Sequence, residues 1–271
     1  MLAGRLRRKK RGKMSKVLIT GATSGIGLAY AKYYASNNYD LILTGTKETL
    51  LIIAKEIENE FSVKVKIIIK TINNEKDVDE IIKLISNEEI EILVNNAGYG
   101  IKGLFFNNDI EDYIRMINLH LILTLKLTSH CINKMLIKNI GLVINVSSDG
   151  AILPIPGNSV YSGTKAFLLK YTECLYLDLL AKKSNVKTIV VCPGFTKTEF
   201  HGKMGIEKDR VKNKSVVKWS TPQDVVERSV KDINKNKIVS FAGGNNSKMQ
   251  MLLYKILPKR IFYNIVERKF G

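Results

Sequence analysis

Short apolar runs alternate along this chain with longer segments in which apolar residues recur at helical spacing. Apolar runs bounded by turn residues are typical of buried strands, and apolar residues three and four positions apart are typical of amphipathic helices. Strands are predicted over residues 16–20, 41–44, 65–69, 90–94, 141–146, 187–191 and 238–240. Helices are predicted over residues 25–37, 47–60, 77–85, about 110–137 and about 158–182, with a further helix beginning near Pro222.

The order of these elements predicts the fold class. Strands that are apolar throughout and separated by helices form parallel sheets that are covered on both faces. We therefore predict an α/β protein with a doubly wound, Rossmann-like parallel sheet of about seven strands in three layers. No repeat or linker interrupts the sequence pattern, so residues 15–271 are predicted to form one domain, preceded by a disordered basic extension of residues 1–14.

Composition excludes several classes of protein. Of the 271 residues, 45% are hydrophobic and 25% are charged, a balance that excludes a disordered or collagen-like chain. The longest stretches without a charged residue have 15 residues, whereas a membrane-spanning helix needs about 20, so no transmembrane helix is expected. Three cysteines without CxxC spacing and three scattered histidines predict neither a disulfide framework nor a metal site. These features predict a soluble, cytoplasmic protein.

The net charge of +18 is unevenly distributed. Seven basic residues and no acidic residue precede Met14, and an arm of this kind can bind nucleic acid or an anionic membrane. A disordered tail, or a start site assigned too early, explains the same residues, because Met14 lies directly before the first predicted strand. We favour a tail or a misassigned start over a binding arm, and we expect no nucleic-acid partner.

The first predicted strand-to-helix turn, residues 20–27, carries glycines in the order G-x-x-x-G-x-G. Gly21 permits a sharp exit from the strand, and Gly25 and Gly27 leave room for a pyrophosphate to approach the backbone. The helix that follows offers free N–H groups and the positive end of its dipole to an anion. The position of the turn between the first strand and the first helix favours a dinucleotide site over an ordinary tight turn.

The end of the second predicted strand bears on which dinucleotide binds. An acidic residue there would hydrogen-bond the ribose hydroxyls of NAD and repel a 2′-phosphate, but this chain has Thr46 and Lys47, with no acid before Glu48. Lys47, together with the hydroxyls of Thr46 and Ser24, offers partners for a phosphate. NADP(H) is therefore preferred, NAD(H) stays open, and a merely solvated lysine is the alternative interpretation.

A tyrosine and a lysine stand four residues apart near the start of the long helix that follows the fifth strand. Residues at this spacing share one helix face, so the ammonium group of Lys165 can lie near the phenol of Tyr161. A nearby cation lowers the pKa of a phenol and makes it a usable proton donor and acceptor. Ser148 follows the fifth strand, at the edge where doubly wound sheets bind ligands, and its hydroxyl can hold a carbonyl group against Tyr161.

Together these motifs resemble those of the short-chain dehydrogenase/reductase (SDR) family over about residues 16–244. Residues 20–27 are similar to the family's TGxxxGxG motif, 95–98 to NNAG, 161–165 to YxxxK and 193–194 to PG. The four motifs occur in the family's order and on the corresponding predicted elements. The resemblance implies an oxidoreductase that acts on CH–OH donors with NAD(P) as acceptor and so interconverts a carbonyl compound and an alcohol.

The resemblance also implies the roles of the catalytic residues. Tyr161 is the general acid/base, and Lys165 lowers the pKa of Tyr161 and binds the nicotinamide ribose. Ser148 positions the carbonyl group, and Asn118 completes a tetrad by holding a water molecule in a proton relay.

Further positions are implied to contact the cofactor, with Asn96 along its length and Thr196 at its carboxamide. The whole implied set is Gly21, Thr23, Ser24, Gly25, Ile26, Gly27, Thr46, Lys47, Asn96, Tyr161, Lys165 and Thr196. Two departures from the family's pattern concern this cofactor set. Residues 70–74 lack the Asp that often contacts adenine, and Thr46 stands where NADP-preferring members commonly carry Arg.

The substrate and partners are predicted more coarsely. Residues 195–221 are predicted to form a substrate loop, whose apolar and basic residues suit an acyl chain or a steroid-like molecule. A plain ketone with solvated lysines fits equally well. The apolar and basic segment 247–271 is expected to pack against the protein, with peripheral membrane contact as the second interpretation. The resemblance implies a homo-oligomer, either a dimer or a tetramer.

A second class of function stays open, namely an NADP(H)-binding sensor or scaffold that reaches membrane or nucleic acid through its basic termini. The set of Ser148, Tyr161, Lys165 and Asn118 argues against it, because a protein that only binds a dinucleotide needs no such set. We therefore predict an NAD(P)-dependent oxidoreductase.

Overall fold

The computed structural model describes residues 15–101, 103–154, 156–198, 219–242, 252, 254 and 256–270. Seven strands form one sheet: β1 (Lys16–Ile19), β2 (Asp40–Gly45), β3 (Val65–Ile69), β4 (Ile90–Asn95), β5 (Leu142–Val146), β6 (Lys187–Cys192) and β7 (Val239–Phe241). Their order across the sheet is β3-β2-β1-β4-β5-β6-β7, and every neighbouring pair is parallel. The predicted α/β fold with a seven-stranded parallel sheet is confirmed.

The described part of the chain contains eight α-helices. They are α1 (Gly25–Ser36), α2 (Thr49–Phe61), α3 (Glu75–Ile85), α4 (Ile110–Ile117), α5 (Leu123–Lys138), α6 (Ser159–Ala181), α7 (Pro222–Asn234) and α8 (Lys259–Phe270). Helix α3 begins earlier than predicted, because the Asn74 side chain accepts hydrogen bonds from the N–H groups of Lys76 and Asp77.

The helix predicted over residues 110–137 is present but is interrupted by one π-helical turn, Asn118–Ile122, between α4 and α5. The N–H group of Leu123 donates to the carbonyl oxygen of Asn118, five residues earlier, which is the hydrogen bond that defines such a turn. The interruption changes which side chains of this helix face the sheet edge.

Side chains of each strand alternate between two apolar clusters, one on either face of the sheet. Val17 and Ile19 belong to the cluster that includes residues of α1, α2 and α7. Leu18, between them, belongs to the cluster that includes residues of α3, α5 and α6. This alternation follows from the two-residue repeat of a strand and gives the predicted three layers.

The path of the chain changes direction next to β1. From β1 the chain runs outward through β2 to β3, and α3 then returns it to β4, on the other side of β1. In doubly wound sheets ligands bind outside the carboxyl ends of the strands at such a switch point. The residues that follow β1 and β4 therefore form the expected binding crevice.

A chain of buried hydrogen bonds joins the two central strands to the helices beneath them. Nδ2 of Asn95 on β4 donates to Oδ1 of Asn145 on β5 at 2.8 Å and to Oγ1 of Thr128 on α5 at 3.1 Å. Nδ2 of Asn145 donates in turn to Oγ1 of Thr172 on α6 at 2.9 Å. Because unpaired buried amides are costly, these bonds fix the relative positions of β4, β5, α5 and α6.

Several predicted segments fall wholly or partly outside the described residues. They are the basic extension 1–14, most of the substrate loop 195–221 and part of the C-terminal segment 247–271. Within the last of these, Phe262 of α8 is buried, whereas Ile261 and Ile265 are half exposed. Among the helices that the structure describes, none has the length and apolar character needed to cross a bilayer. The division into a single domain of residues 15–271 stays a prediction.

Candidate active site

The ends of β1 and β4 are held together by the side chains of Thr20 and Asn96. The hydroxyl oxygen of Thr20 accepts hydrogen bonds from the backbone N–H groups of Asn96 at 2.9 Å and Ala97 at 3.0 Å. In return, Nδ2 of Asn96 donates to the carbonyl oxygens of Thr20 at 2.9 Å and Gly21 at 3.0 Å. The structure thus gives Asn96 the task of holding the glycine turn, and its predicted contact with a cofactor stays a prediction.

This close approach requires glycine at two positions of the turn. Gly21 has a φ of +67°, and a Cβ atom there would lie 2.8 Å from Cα of Ala97. A Cβ atom on Gly27 would overlap the carbonyl oxygen of Gly21 and Nδ2 of Asn96. The turn therefore forms a cradle lined by backbone, of the kind that a pyrophosphate group occupies.

The N-terminus of α1 opens into this cradle. Ser24, the residue before the helix, makes no side-chain cap hydrogen bond, and the first turn of α1 contains no acidic residue. The first N–H groups of the helix are left for an anion, and no carboxylate in that turn repels one. The side chain of Ile26 packs against the apolar cluster, so Ile26 can offer only its backbone to a ligand in the cradle. These residues fit a dinucleotide phosphate.

The predicted 2′-phosphate partners lie next to the same turn. Thr46 and Lys47 are exposed residues directly after β2. The loops after β1 and β2 are in contact, because the N–H group of Ala22 donates to the carbonyl oxygen of Thr44 at 3.0 Å and a methyl group of Thr23 packs over Gly45. The residues after β2 therefore lie beside the glycine turn, and the contact of Lys47 with a phosphate stays a prediction.

The hydroxyl groups of Ser148 and Tyr161 meet at the carboxyl edge of the sheet. They are hydrogen-bonded to each other, and Oγ of Ser148 also accepts from the N–H group of Gly150 at 3.1 Å. The neighbouring Ser147 is buried and donates to the backbone carbonyl oxygen of Lys165 at 2.7 Å. Of the two serines it is therefore Ser148 that the structure places against Tyr161.

The side chain of Lys165 is buried beneath this pair, with only 4% of its surface exposed. Its Nζ atom donates to the carbonyl oxygen of Val146 at 3.0 Å and lies 5.6 Å from the centre of the Tyr161 ring. The ion pairs found within the described residues do not include Lys165. The structure thus brings together Ser148, Tyr161 and Lys165 at one point of the sheet edge.

Burial controls the acidity of both groups. It raises the pKa of Tyr161 to about 12, although the hydrogen bond with Ser148 acts in the opposite direction. Burial also lowers the pKa of Lys165 to about 8. Burial of the phenol thus acts against the expected lowering of its pKa by Lys165, and that expectation stays a prediction. At neutral pH Tyr161 is a phenol that can donate a proton, and most Lys165 side chains are charged.

The side-chain amide of Asn118 has its hydrogen-bond partner outside this cluster. Its Nδ2 atom donates to the carbonyl oxygen of Asn73 at 2.8 Å, and so it ties the π-helical turn to the loop between β3 and α3. His120 lies next to Tyr161 instead, with the two ring centres 5.9 Å apart. The role of Asn118 in the tetrad stays a prediction, and sequence reasoning missed His120 as a neighbour of Tyr161.

Thr196 follows β6 at the same edge of the sheet. It is buried, and its hydroxyl donates to the carbonyl oxygen of Gly194 at 3.0 Å. Cys192, at the end of β6, is also buried, which raises the pKa of its thiol to about 12. Thr196 therefore lies near the carboxyl end of β6, and its contact with a carboxamide stays a prediction. The thiol of Cys192 is protonated and apolar in character.

Two curated relatives are similar to the chain over most of its length. The 3-oxoacyl-(acyl-carrier-protein) reductase of Aquifex aeolicus is 32% identical over 222 residues, which are 80% of this chain and 88% of that protein. The human very-long-chain 3-oxoacyl-CoA reductase is 30% identical over 187 residues, which are 67% of this chain. The match spans only 59% of the human protein.

A solved structure shares both the fold and part of the sequence. The short-chain dehydrogenase from Sphingobium yanoikuyae in complex with NADPH has a TM-score of 0.78 and is 26% identical, with 90% of this chain and 97% of that chain covered. The family described as short chain dehydrogenase matches residues 15–209, more than half of the chain. With the glycine cradle and the Ser148, Tyr161 and Lys165 cluster in place, these matches show that the chain belongs to the short-chain dehydrogenase family of oxidoreductases.

Proposed function

We propose that this chain is an NADP(H)-dependent reductase that converts the carbonyl group of a 3-oxoacyl thioester into an alcohol. The observation that carries the proposal is the hydrogen-bonded pair of Ser148 and Tyr161 above the buried ammonium of Lys165, at the edge that also holds the glycine cradle. A sensor that only binds the dinucleotide is not favoured, because binding alone would not require a proton donor at this edge.

The residues of this cluster have two roles in the proposed reaction, namely to orient the substrate and to transfer a proton. NADPH, when bound, supplies the hydride that is added to the carbonyl carbon. The hydroxyls of Ser148 and Tyr161 donate hydrogen bonds to the carbonyl oxygen and so orient the substrate and stabilise the negative charge that develops there. Tyr161 then transfers its proton to that oxygen, and the Lys165 ammonium stabilises the phenolate that remains.

An acyl thioester is supported by both curated relatives and by an apolar surface. The relatives are named as reductases of 3-oxoacyl groups on a carrier protein or on CoA. In this chain Leu104, Phe105 and Phe106 are exposed between β4 and α4, with 79% of the Phe106 surface accessible. They follow Gly103, whose backbone contacts Gly157 just before α6. This apolar segment suits an acyl chain, and a steroid-like or other bulky ketone is the alternative.

NADP(H) is supported over NAD(H) by the charge around the end of β2. Lys47 is exposed next to the glycine turn, and no acidic residue separates it from β2. The Sphingobium yanoikuyae protein, which shares the fold, is described as a complex with NADPH. The other implied contacts, from Thr23 and Ser24 to Thr196, belong to the same proposal.

Replacing Tyr161 with phenylalanine should lower the rate of carbonyl reduction by about 100-fold or more, because the proton donor is lost. NADPH binding should change little, since the glycine cradle is untouched. Stopped-flow or steady-state oxidation of NADPH with a 3-oxoacyl thioester measures the first effect, and fluorescence titration of NADPH measures the second. Tyr176→Phe on the same helix is the matched control. Undiminished turnover by Tyr161→Phe would refute the proposed chemistry.

Reversing the charge of Lys47 should discriminate between the two dinucleotides. Lys47→Glu is expected to weaken NADPH binding by about tenfold or more, since a charge-assisted hydrogen bond is worth about 1.5–3 kcal/mol. NADH binding should change by less than about threefold. Dissociation constants measured by fluorescence test this, with Lys55→Glu, an exposed lysine farther along α2, as the control. Equal losses for both dinucleotides would mean that Lys47 does not meet the 2′-phosphate.

The pH dependence of reduction should follow the ionisation of Lys165. Burial lowers the pKa of Lys165 to about 8, so its ammonium is lost as the pH rises through that value. Reduction should then slow, because the neutral amine no longer stabilises the phenolate of Tyr161. Initial rates between about pH 6 and about pH 10 measure this, with the fold monitored by circular dichroism. The Lys165→Met variant should lose most of the activity and also the fall in rate at high pH. A wild-type rate that does not change with pH would contradict the assignment of that fall to Lys165.

The exposed apolar residues of α6 and α8 support two proposals about partners. Leu177 and Leu180 of α6 are exposed and suit a homo-oligomer, either a dimer or a tetramer. Ile261 and Ile265 of α8 are half exposed beside Lys259, Arg260 and Arg268, a combination that suits peripheral contact of a cytoplasmic protein with an anionic membrane.

Light scattering of the full chain measures its mass in solution, and a monomer would refute the oligomer. Flotation with vesicles that contain anionic lipid measures membrane binding, which should fall when Ile261 and Ile265 are both replaced with serine because their apolar burial is lost. Leu84→Ser, at an exposed leucine of α3, is the matched control for a lost apolar side chain. Binding that is absent in the wild type, or unchanged in the double variant, would refute contact through α8.

A further inference from the structure

His120 is a buried titratable side chain beside the proposed proton donor and has no role in the reaction described so far. It belongs to the π-helical turn between α4 and α5 and has only 1% of its surface exposed. Its ring packs edge-on against Tyr161, with centres 5.9 Å apart, and against Tyr99, with centres 6.0 Å apart. Three parts of the fold therefore meet at this one ring.

The hydrogen bonds of the ring select one protonation state. Nε2 of His120 accepts from the backbone N–H group of Tyr99 at 3.1 Å, so Nε2 carries no proton. Nδ1 lies 2.8 Å from Oγ1 of Thr164, and that hydroxyl gives its own proton to the carbonyl oxygen of Tyr161 at 2.7 Å. Nδ1 must therefore be the donor to Thr164. The contacts satisfy both ring nitrogens only in the neutral, Nδ1-protonated tautomer.

The ring is also a close neighbour of the buried ammonium. A Cβ atom placed on Gly98 would lie 2.8 Å from Nε2 of His120 and 3.5 Å from Nζ of Lys165, so both nitrogens approach the same point of the backbone. A positive charge on His120 would face that ammonium in the protein interior, where both side chains are buried. Burial and the charge of Lys165 both hold the pKa of His120 well below its usual value. The titratable groups that face the ring are Lys165 and Tyr161 from α6 and Tyr99 after β4.

We propose that His120 is a positioning residue of this active site: as a neutral, Nδ1-protonated ring it joins the backbone after β4 to Thr164 in the first turns of α6 and so sets the placement of Tyr161 and Lys165. The proposal rests on the proposed reductase function. It places His120 beside Lys165 and does not alter the predicted role of Asn118. His120 acts through Thr164 and Lys165 and does not touch the reacting atoms.

The tautomer can be measured directly in the full chain by NMR of the imidazole nitrogens. Since the chain has three histidines, the signals of His120 are assigned by their loss in His120→Phe. We expect an Nδ1-protonated ring whose shifts stay constant from about pH 8 to about pH 5.5, the range in which a free imidazole titrates. An Nε2-protonated ring, or protonation close to the pKa of free histidine, would overturn the proposal.

Kinetics separate positioning from a merely structural role. His120→Phe keeps a ring of similar size but has no nitrogen, and it should lower kcat by about tenfold or more, with KM and the NADPH dissociation constant within about threefold. The descending limb of the pH profile should move to lower pH by at least about half a unit, because the surroundings of Lys165 become more apolar. His120→Gln, whose amide can donate and accept, should restore most of both properties.

Two further variants keep the test decisive. Thr164→Val removes the hydroxyl that accepts the Nδ1 proton of His120. It should lower kcat and move the descending limb of the pH profile to lower pH, as His120→Phe does, but by a smaller factor. It replaces His120→Phe in the test if that variant fails to fold. His130→Phe, at a half-buried histidine of α5, is the control and should change neither kcat nor the pH profile. A His120→Phe variant with lower thermal stability but unchanged kcat and pH limb would overturn the proposal.

Failure of the proposed reductase function and failure of the His120 proposal give different experimental results. If the wild-type chain reduces no 3-oxoacyl thioester or other ketone, the reductase function fails. The tautomer found by NMR then upholds or overturns the assignment of His120 without reference to turnover.

Discussion

The burial of one ammonium group is the constraint on which the site depends. Lys165 is removed from water on α6, and its Nζ atom has the carbonyl oxygen of Val146 as a hydrogen-bond partner. A buried charge without a carboxylate is costly unless the surrounding dipoles are fixed in place. Ser147 fixes the backbone of Lys165 itself through its carbonyl oxygen. This rigid setting keeps the cation close to Tyr161 while making it easy to deprotonate.

The two adjacent asparagines after β4 show how the sheet edge is made rigid. Asn95 points into the core and joins β4 to β5 and α5, while Asn96 points the other way and holds the glycine turn after β1. Successive side chains of a strand face opposite sides, so Asn95 hydrogen-bonds within the core while its neighbour Asn96 hydrogen-bonds to the glycine turn of the crevice. The cradle for the dinucleotide and the floor of the proton-transfer site are thus parts of a single hydrogen-bonded unit.

Much of this arrangement could be predicted from the sequence, because its signals are local. Apolar runs located the seven strands, and the four-residue spacing of Tyr161 and Lys165 placed both on one helix face. The contact of His120 with Tyr161 was different in kind. That contact depends on how the π-helical turn is rotated relative to the sheet, which local residue spacing does not give. The effect of burial on Tyr161 likewise depended on neighbours that are distant in sequence.

The π-helical turn has a consequence for how this site can diverge. Such a turn contains one residue more than an α-helical turn, as an insertion in a helix would produce. Deleting one residue from Asn118–Ile122 would restore a continuous α-helix and rotate the segments on either side relative to each other by about 100°. The deletion of a single codon would therefore change which position of this helix stands beside Lys165. Relatives could exchange that side chain through a deletion that leaves every strand of the sheet intact.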